Sequence, residues 1–496
     1  MEQKTKDFIK KGFGEKKETK RPNLLYVFAD QWRFAAQGWA KQDQVSTPNM
    51  DEFAKESMKC TECYSTFPLC SPHRASLMTG KYPLKVGMWT NCKVGLEEIL
   101  MLKPQELCIG NVLQENGYHT GYIGKWHLDA SEENFFSHPA SGAKDWDAYT
   151  PPGERRQGFE DWLSYGACDE HLDPHYWKDS PKQIKPGKWS AEYETDMAIE
   201  SMERYRKEER PFALFLSYNP PHLPYELVPD KYYNQYRNME VQYRPNVPEE
   251  MRKKGGLLET QTRQYFAAIT GVDEQFGRIL SYLKEKGMEE DTIVVLSADH
   301  GEMLGSHGLM SKNIWYEEAL HIPLNFRQKG RILPGEYREL FPSIDHMPTL
   351  LGLLDLPVPD TCDGVSHAEG ILEKGVGQRK ETDVEEAKKE MFICSYPGGA
   401  EMVAAFAKKG LTHKAYGWRG IKTKRYTYVI CNGYAPGEKQ AEYLYDHWTD
   451  PSEQHPISLP MNLEDIKEPE MKELISYFRR RLAKYLEEQK DPFLMR

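Results

Sequence analysis

Between Leu69 and Gly80 the chain reads Leu-Cys-Ser-Pro-His-Arg-Ala-Ser-Leu-Met-Thr-Gly, residue types whose spacing suits chemistry on an anion. Ser71 can serve as a helix N-cap, Pro72 fits the first helical position, and Gly80 can take the left-handed turn that ends a helix. Cys70 then stands just ahead of a helix N-terminus, where free backbone N–H groups and the helix dipole favour negative charge. Arg74, one turn on, can reach back to the same end. A sulfur residue and an arginine placed this way make a site for a tetrahedral oxyanion. An arbitrary buried cysteine ahead of a core helix is more often structural. Here the spacing Cys-x-Pro-x-Arg, followed by an apolar turn and Thr-Gly, shifts the weight towards catalysis.

Two further groups carry acids. Asp30-Gln31 and Asp299-His300 each follow a short apolar run, Asn23 to Ala29 and Thr292 to Ala298. Acidic residues brought together at strand ends repel unless a cation lies between them. Carboxylate and amide oxygens suit calcium or magnesium, whereas the imidazole of His300 better suits manganese or zinc. Either His300 contacts a substrate oxygen, or the site prefers a transition ion. A third apolar run, Phe212 to Tyr218, leads into Asn219-Pro220-Pro221-His222, and His222 lies on a loop stiffened by Pro221 and Pro224.

These runs read as buried parallel strands. Amphipathic segments such as Gln261 to Lys286 lie between them, which predicts an α/β fold: a large mixed, mostly parallel sheet flanked by helices. Ligands in such sheets gather at the carboxyl ends of the strands, where all three acid- or histidine-bearing loops begin. Residues 145–193 show no regular periodicity but hold Trp146, Trp162, Tyr165, Tyr176, Trp177 and Trp189 with His171 and His175. Those rings either stack on a sugar or aryl group or pack the segment itself. Charged residues dominate Lys374 to Glu390. Strand-like segments (Lys424 to Ile430, Glu442 to Tyr445) and a terminal helix near Met471 to Gln489 then predict a small C-terminal α+β subdomain. The expected division is a charged tail at 1–21, a catalytic domain at 22–374, and a linker with the subdomain at 375–496.

The chain has 496 residues and a net charge of −11, which argues against a general nucleic-acid surface while permitting a local cationic pocket. No apolar run is long enough to span a membrane, and the Lys- and Glu-rich start has no signal-peptide core. Cytoplasmic location is expected if Met1 is the native start, with periplasmic or secreted location also consistent. Nine cysteines in this length do not form a disulfide framework. Cys60-Thr61-Glu62-Cys63 reads as two packed thiols, and His307 beside Gly308 as a turn residue of structural role.

The Cys70–Gly80 stretch resembles the signature of the type I sulfatases, within the alkaline-phosphatase-like superfamily. Gly117 to Leu128 (Gly-Tyr-His-Thr-Gly-Tyr-Ile-Gly-Lys-Trp-His-Leu) is similar to that family's second signature. Pro221 to Tyr225, His307 to Lys312, Arg419 to Thr423 and Leu444 to Asp446 resemble later family segments, so the likeness covers about residues 22–455. The resemblance implies that Cys70 is oxidised to formylglycine by a formylglycine-generating enzyme, and that its hydrate attacks sulfur to form a covalent sulfate ester. It further implies that Arg74, Lys125 and Lys312 offset sulfate charge, that His222 protonates the departing alcohol, and that His127 helps expel sulfate. Asp30, Gln31, Asp299 and His300, with position 70, would bind one divalent metal, calcium by expectation, with manganese or magnesium as alternatives. The expected substrate is a sulfate ester, of a saccharide in preference to a simple aryl group. A phosphonate or phosphate ester hydrolase of the same superfamily is the alternative enzyme. A sulfated-glycan-binding protein is the alternative if Cys70 stays unmodified.

Overall fold

The three apolar runs are strands whose limits match the sequence reading: β1 (Asn23–Ala29), β6 (Phe212–Tyr218) and β7 (Thr292–Ala298), every residue buried. In the computed structural model, which describes residues 21–373, 390–460 and 462–495, they form the centre of an eight-stranded sheet. All of the expected tail at 1–21 except Arg21, and most of the charged linker (374–389), lie outside the described residues. The sheet also contains β2 (Met58–Cys60), β4 (His119–Lys125), β5 (Asp161–Tyr165), β8 (Leu324–Arg327) and β9 (Gly335–Tyr337), in the order β5-β4-β6-β1-β7-β8-β2-β9. Strands β5 to β7 of that order run parallel, and β8 is antiparallel to both neighbours. The register pairs Leu24 with Ala213 and Ile293, which brings the carboxyl ends of β6, β1 and β7 level.

Side-chain alternation divides the central strands between two helical layers. Tyr26 bonds His346, Phe28 lies under the Arg74 guanidinium, and Ser217 accepts from Arg74, so this face meets the helices Cys70–Thr79 and His346–Leu353. The opposite face carries Tyr218, whose hydroxyl meets Thr195 on the helix Ser190–Tyr205. The long amphipathic helix Leu257–Glu285 starts four residues earlier than the sequence reading placed it.

Two short strands, β3 (Cys63–Tyr64) and β10 (Phe341–Pro342), pair beside this sheet. The C-terminal unit is an antiparallel sheet of β11 (Met391–Ser395), β12 (Gly417–Lys422), β13 (Tyr426–Gly433), β14 (Ala441–Asp446) and β15 (Ile457–Ser458). The helix Pro469–Gln489 packs on it through Ile475, Phe478 and Leu482, with Phe478 stacked on Tyr428 at 5.3 Å. This is the expected C-terminal α+β subdomain, and the expected large mixed, mostly parallel sheet lies ahead of it. Residues 145–193 depart from the aperiodic reading: they include β5, whose Trp162, Leu163 and Tyr165 are buried beside β4. Among the described residues no helix is long and apolar enough to cross a membrane.

Candidate active site

The helix that carries Cys70 begins two residues earlier than expected. Cys70 is its first residue, Leu69 is the N-cap, and the helix closes at Gly80 in the left-handed region (φ 66°). Ser71 does not cap. Its hydroxyl donates to His127 O (2.6 Å) and accepts from Cys92 N (3.1 Å), while Asn91 Oδ1 accepts from the Ser71 N–H (2.9 Å). A side chain from a distant loop therefore satisfies an orphan helix donor, a partner that local sequence does not reveal.

The ends of β1 and β7 bring Asp30 and Asp299 to this helix end. One ligand atom from each of Asp30, Cys70, Asp299 and His300 lies within 4.8 Å of the others, and all four residues are buried. Cys70 Sγ is 3.4 Å from His300 Nε2 and 3.8 Å from Asp30 Oδ1. His300 Nδ1–H donates to Gly301 O (3.0 Å), which turns the Nε2 lone pair inward, 3.5 Å from Asp30 and 3.6 Å from Asp299. Two carboxylates, a sulfur position and an imidazole lone pair converging in a buried space fit a divalent cation.

Fixed cations surround these acids. Arg74 spans Asp30 and Asp299 at 3.2 Å each and also donates to Lys125 O (2.6 Å) and Ser217 Oγ (2.8 Å). Lys125 Nζ is 2.7 Å from Asp30 Oδ2 and 4.0 Å from Cys70 Sγ. Lys125 gets there because Gly124 (φ 98°) has no side chain. A Cβ there would lie 2.0 Å from Ser217 O. Burial opposes charge on Asp30, but Lys125, His222, His300 and Arg74 outweigh it and hold that carboxyl well below its usual range. At Asp299 burial and the facing Asp30 win, and its carboxyl is raised. Burial and Asp30 also oppose a thiolate at Cys70, yet Lys125, Lys312 and His300 more than offset them and lower its thiol well below the ordinary value. The pocket at position 70 is thus built for an anion.

His127 follows β4 in the left-handed region (φ 51°) and donates from Nε2 to Cys92 O (3.2 Å), leaving its buried Nδ1 without a hydrogen-bond partner. Gln31 amide oxygen accepts from Lys312 Nζ, and its Nε2 donates to Tyr225 (3.1 Å) and Glu302. Lys312 must share that oxygen if Gln31 is to serve a cation. Lys312 Nζ also stands 2.8 Å from His222 Nε2, so one of the two nitrogens holds a lone pair towards the other. The loops thus bring every candidate residue (Cys70, Arg74, Lys125, His127, His222, Lys312, Asp30, Gln31, Asp299 and His300) around one space.

Sequence reasoning missed three supports. Asn219 accepts from Lys125 Nζ (3.2 Å) and donates to Asp169 Oδ1 (3.2 Å). Asp169 lies 3.3 Å from His222 Nδ1. Burial, Lys312 and Lys125 oppose an imidazolium at His222, but Asp169 and Asp30 outweigh them and raise it to about 9, above the near-neutral value expected of an unperturbed histidine. Glu302 accepts from Gln31 and from the N–H groups of Leu304 and Ser311, fixing the loop that carries Lys312. Asn219 and Glu302 were visible as polar residues at strand ends; Asp169 carried no signal. Of the aromatic residues in 145–193, Trp162, Tyr165, Tyr176, Trp177 and Trp189 are buried and pack the segment. Trp146 alone of that group is exposed, with its ring 6.3 Å from that of His127 and Lys93 over its face.

A family model described as Sulfatase matches residues 22–356. The chain is 33% identical to a protein named endo-4-O-sulfatase from Bacteroides thetaiotaomicron, over 96% of this chain and 94% of the other. It is 32% identical to an ulvan-active sulfatase from Formosa agariphila, over 97% and 84% of the two chains. A solved Bacteroides thetaiotaomicron structure, titled for the metabolism of multiple glycosaminoglycans, superposes with TM-score 0.81 at 33% identity and covers 95% of this chain and 97% of its own. The match over most of the chain and the near-full-length relatives establish that it belongs to the sulfatase family, whose members are sulfuric ester hydrolases.

Proposed function

We propose that this chain hydrolyses the sulfate ester of a sulfated saccharide, with Cys70 converted to formylglycine by a modifying enzyme and one divalent cation held by Asp30, Asp299, His300 and Gln31. The observation that carries the reading is the position of Cys70. It is the first residue of a buried helix, within 4.0 Å of Lys125 Nζ and 3.4 Å of His300 Nε2. Formylglycine would supply a hydrated-aldehyde oxygen as nucleophile there, and the cation, when bound, would act as a Lewis acid towards it and the sulfate.

The chain's own groups then take distinct parts. Lys125 and Lys312 face the sulfate oxygens and offset the charge that develops on them, the electrostatic part of catalysis. Arg74 acts from behind: its four bonds hold Asp30, Asp299 and the end of β4 in place, so its contribution passes through the carboxylates. Once sulfate oxygens draw the Lys312 ammonium off His222 Nε2, which accepts from it at 2.8 Å here, that nitrogen can hold a proton and deliver it to the departing saccharide oxygen. Asp169 orients that imidazole through Nδ1. His127, with an unpartnered Nδ1 near position 70, accepts the proton released when sulfate is expelled. Trp146, exposed next to His127, offers a face for a sugar ring. The names of the two relatives, an endo-4-O-sulfatase and an ulvan-active sulfatase, support a polysaccharide substrate.

A panel of sulfated oligosaccharides, aryl sulfates, phosphate monoesters and phosphonate monoesters tests the reading, with the modified holoenzyme and quantified inorganic products. Sulfate release from a saccharide at the highest kcat/KM supports it. Preferential turnover of a phosphonate or phosphate ester overturns it, and tight saccharide binding with no turnover by the modified enzyme marks a binding protein.

A further inference from the structure

A second group of buried acids lies where the C-terminal sheet meets the catalytic sheet. Glu317 and Glu318 open the short helix Glu317–Leu320, and Glu453 follows β14 in the chain. Ligand atoms of His307, Glu318 and Glu453 lie within 4.8 Å of one another, as do those of Glu317, His447 and Glu453. Glu453 is common to both sets.

The charges in this group do not balance. Arg244 Nε pairs with Glu318 Oε1 (2.9 Å), and Lys422 pairs with Glu317. No lysine or arginine among the described residues pairs with Glu453. Its Oε2 accepts the Glu317 N–H (2.9 Å), and its nearest basic group is His447 Nδ1 at 4.0 Å. Glu318 and Glu453 are only 3% and 2% exposed, yet Glu318 Oε2 and Glu453 Oε1 accept no hydrogen bond. His447 Nδ1 and Asn246 Oδ1 are likewise buried without a partner. Carboxylate oxygens withdrawn from water without a hydrogen bond or counter-ion are costly. The surroundings are already fixed: Asn246 Nδ2 lies 2.9 Å from Glu318 Oε1, 3.1 Å from Ser452 O and 3.0 Å from His307 Nε2, so its two N–H groups can serve the two oxygens and leave the His307 lone pair for a cation, and the His307 ring stacks on Tyr316 at 3.7 Å. A cavity of about 630 Å³, lined in part by Glu317, Glu318, His447 and Ser452, gives access from solvent.

We propose that this cluster is a second, structural site for a divalent cation, held by Glu453, Glu318 and His307. Carboxylates mixed with imidazole suit manganese or zinc better than calcium. The ion would join the C-terminal subdomain, through Glu453, to the loop from His307 that ends at Lys312, so its work is to stiffen a catalytic loop from outside the active site. His307 is then more than the turn residue the sequence suggested.

The test is metal content of the full chain after dialysis against Mn²⁺ and gel filtration, with thermal melting alongside. Glu453→Gln keeps the shape and the acceptor for the Glu317 N–H but removes the charge. Wild type should retain about one Mn²⁺ per chain more than Glu453→Gln or His307→Gln, and Mn²⁺ should raise its Tm more than theirs. Asp299→Asn, which disables the active-site cation, should keep the second equivalent. His307 is only half-buried, so its variant gives the comparison even if Glu453→Gln does not fold. Equal Mn²⁺ content in wild type and the folded variants overturns the proposal and means that a proton, not a metal, neutralises Glu453.

Discussion

Replacing Arg74 by methionine tests whether the acids of the site are held by this one guanidinium. Arg74 is fully buried and makes four contacts: Asp30 and Asp299 at 3.2 Å each, Ser217 Oγ at 2.8 Å and Lys125 O at 2.6 Å. Asp30 keeps Lys125 at 2.7 Å when Arg74 goes, so Asp299 is the carboxylate left stranded. Breaking one buried ion pair by removing a partner costs about 3–5 kcal/mol. Lys125 O still accepts from Tyr122 (2.6 Å), so only the bond to Ser217 adds to this, at about 1 kcal/mol. The expected loss is about 4–6 kcal/mol at pH 7, a large part of the roughly 5–15 kcal/mol that holds a typical domain folded. Asp299 already has a raised carboxyl, through burial and Asp30, and can take a proton, so the loss should shrink towards pH 5. Adding a divalent cation should recover part of it, because the ion replaces the missing positive charge. Urea unfolding of the metal-depleted chain at both pH values, with and without Ca²⁺ or Mn²⁺, provides the numbers. A loss below about 1 kcal/mol at pH 7, unaffected by cation, would refute the assignment of Arg74 as the counter-charge of Asp299.

Two further outcomes follow from the geometry. Glu194 is buried, with Tyr176 on Oε1 (3.0 Å) and no partner on Oε2. Burial raises its carboxyl from 4.5 to about 8 against the partial relief of Tyr176 and Tyr165, so the folded state binds the extra proton. Stability should therefore fall by about 1.4 kcal/mol per pH unit through this group between those values and level off above them. Glu194→Gln should flatten the dependence in urea titrations from pH 5 to 8, and parallel curves would contradict the assignment. His222→Ala should slow a saccharide sulfate by about 10²–10⁴-fold but an activated aryl sulfate much less, since a phenolate leaves without a proton. Equal losses on both would make His222 a sulfate contact and move the search for the acid to His127.

How much of this was legible depended on whether the determining contact was local. Strands β1, β6 and β7 were read to the residue because a strand buried on both faces must be a continuous apolar run. Their polar followers, Asp30, Asn219 and Asp299, then had to lie at the carboxyl edge of a parallel sheet. Strand β4 was quoted for its family likeness and not as a strand, because Gly121 and Gly124 interrupt the apolar pattern that would announce it. Those glycines admit Tyr205 and the β6 backbone. The start of the Cys70 helix was misplaced by two residues because the Ser71 donor is satisfied by Asn91, twenty residues away in sequence. Asp169 sits in a stretch whose order comes from packing of Trp162, Tyr165 and Trp177, so neither period nor composition pointed to it. The resemblance supplied what physics alone did not: the expectation that Cys70 is converted, and the parts expected of Lys125, His127 and Lys312.

The central claim is that turnover starts at position 70. Cys70 is 1% exposed at a helix start, and alanine there leaves only a small void, so Cys70→Ala should fold, bind the divalent cation and bind the saccharide. Sulfate release from a sulfated oligosaccharide, measured for the modified wild type and for this variant at equal concentration, is the direct test. The account predicts steady release by the wild type, whose intact mass shows the converted cysteine, and none above the uncatalysed rate by the variant. Release by Cys70→Ala at a rate near that of the wild type would contradict it.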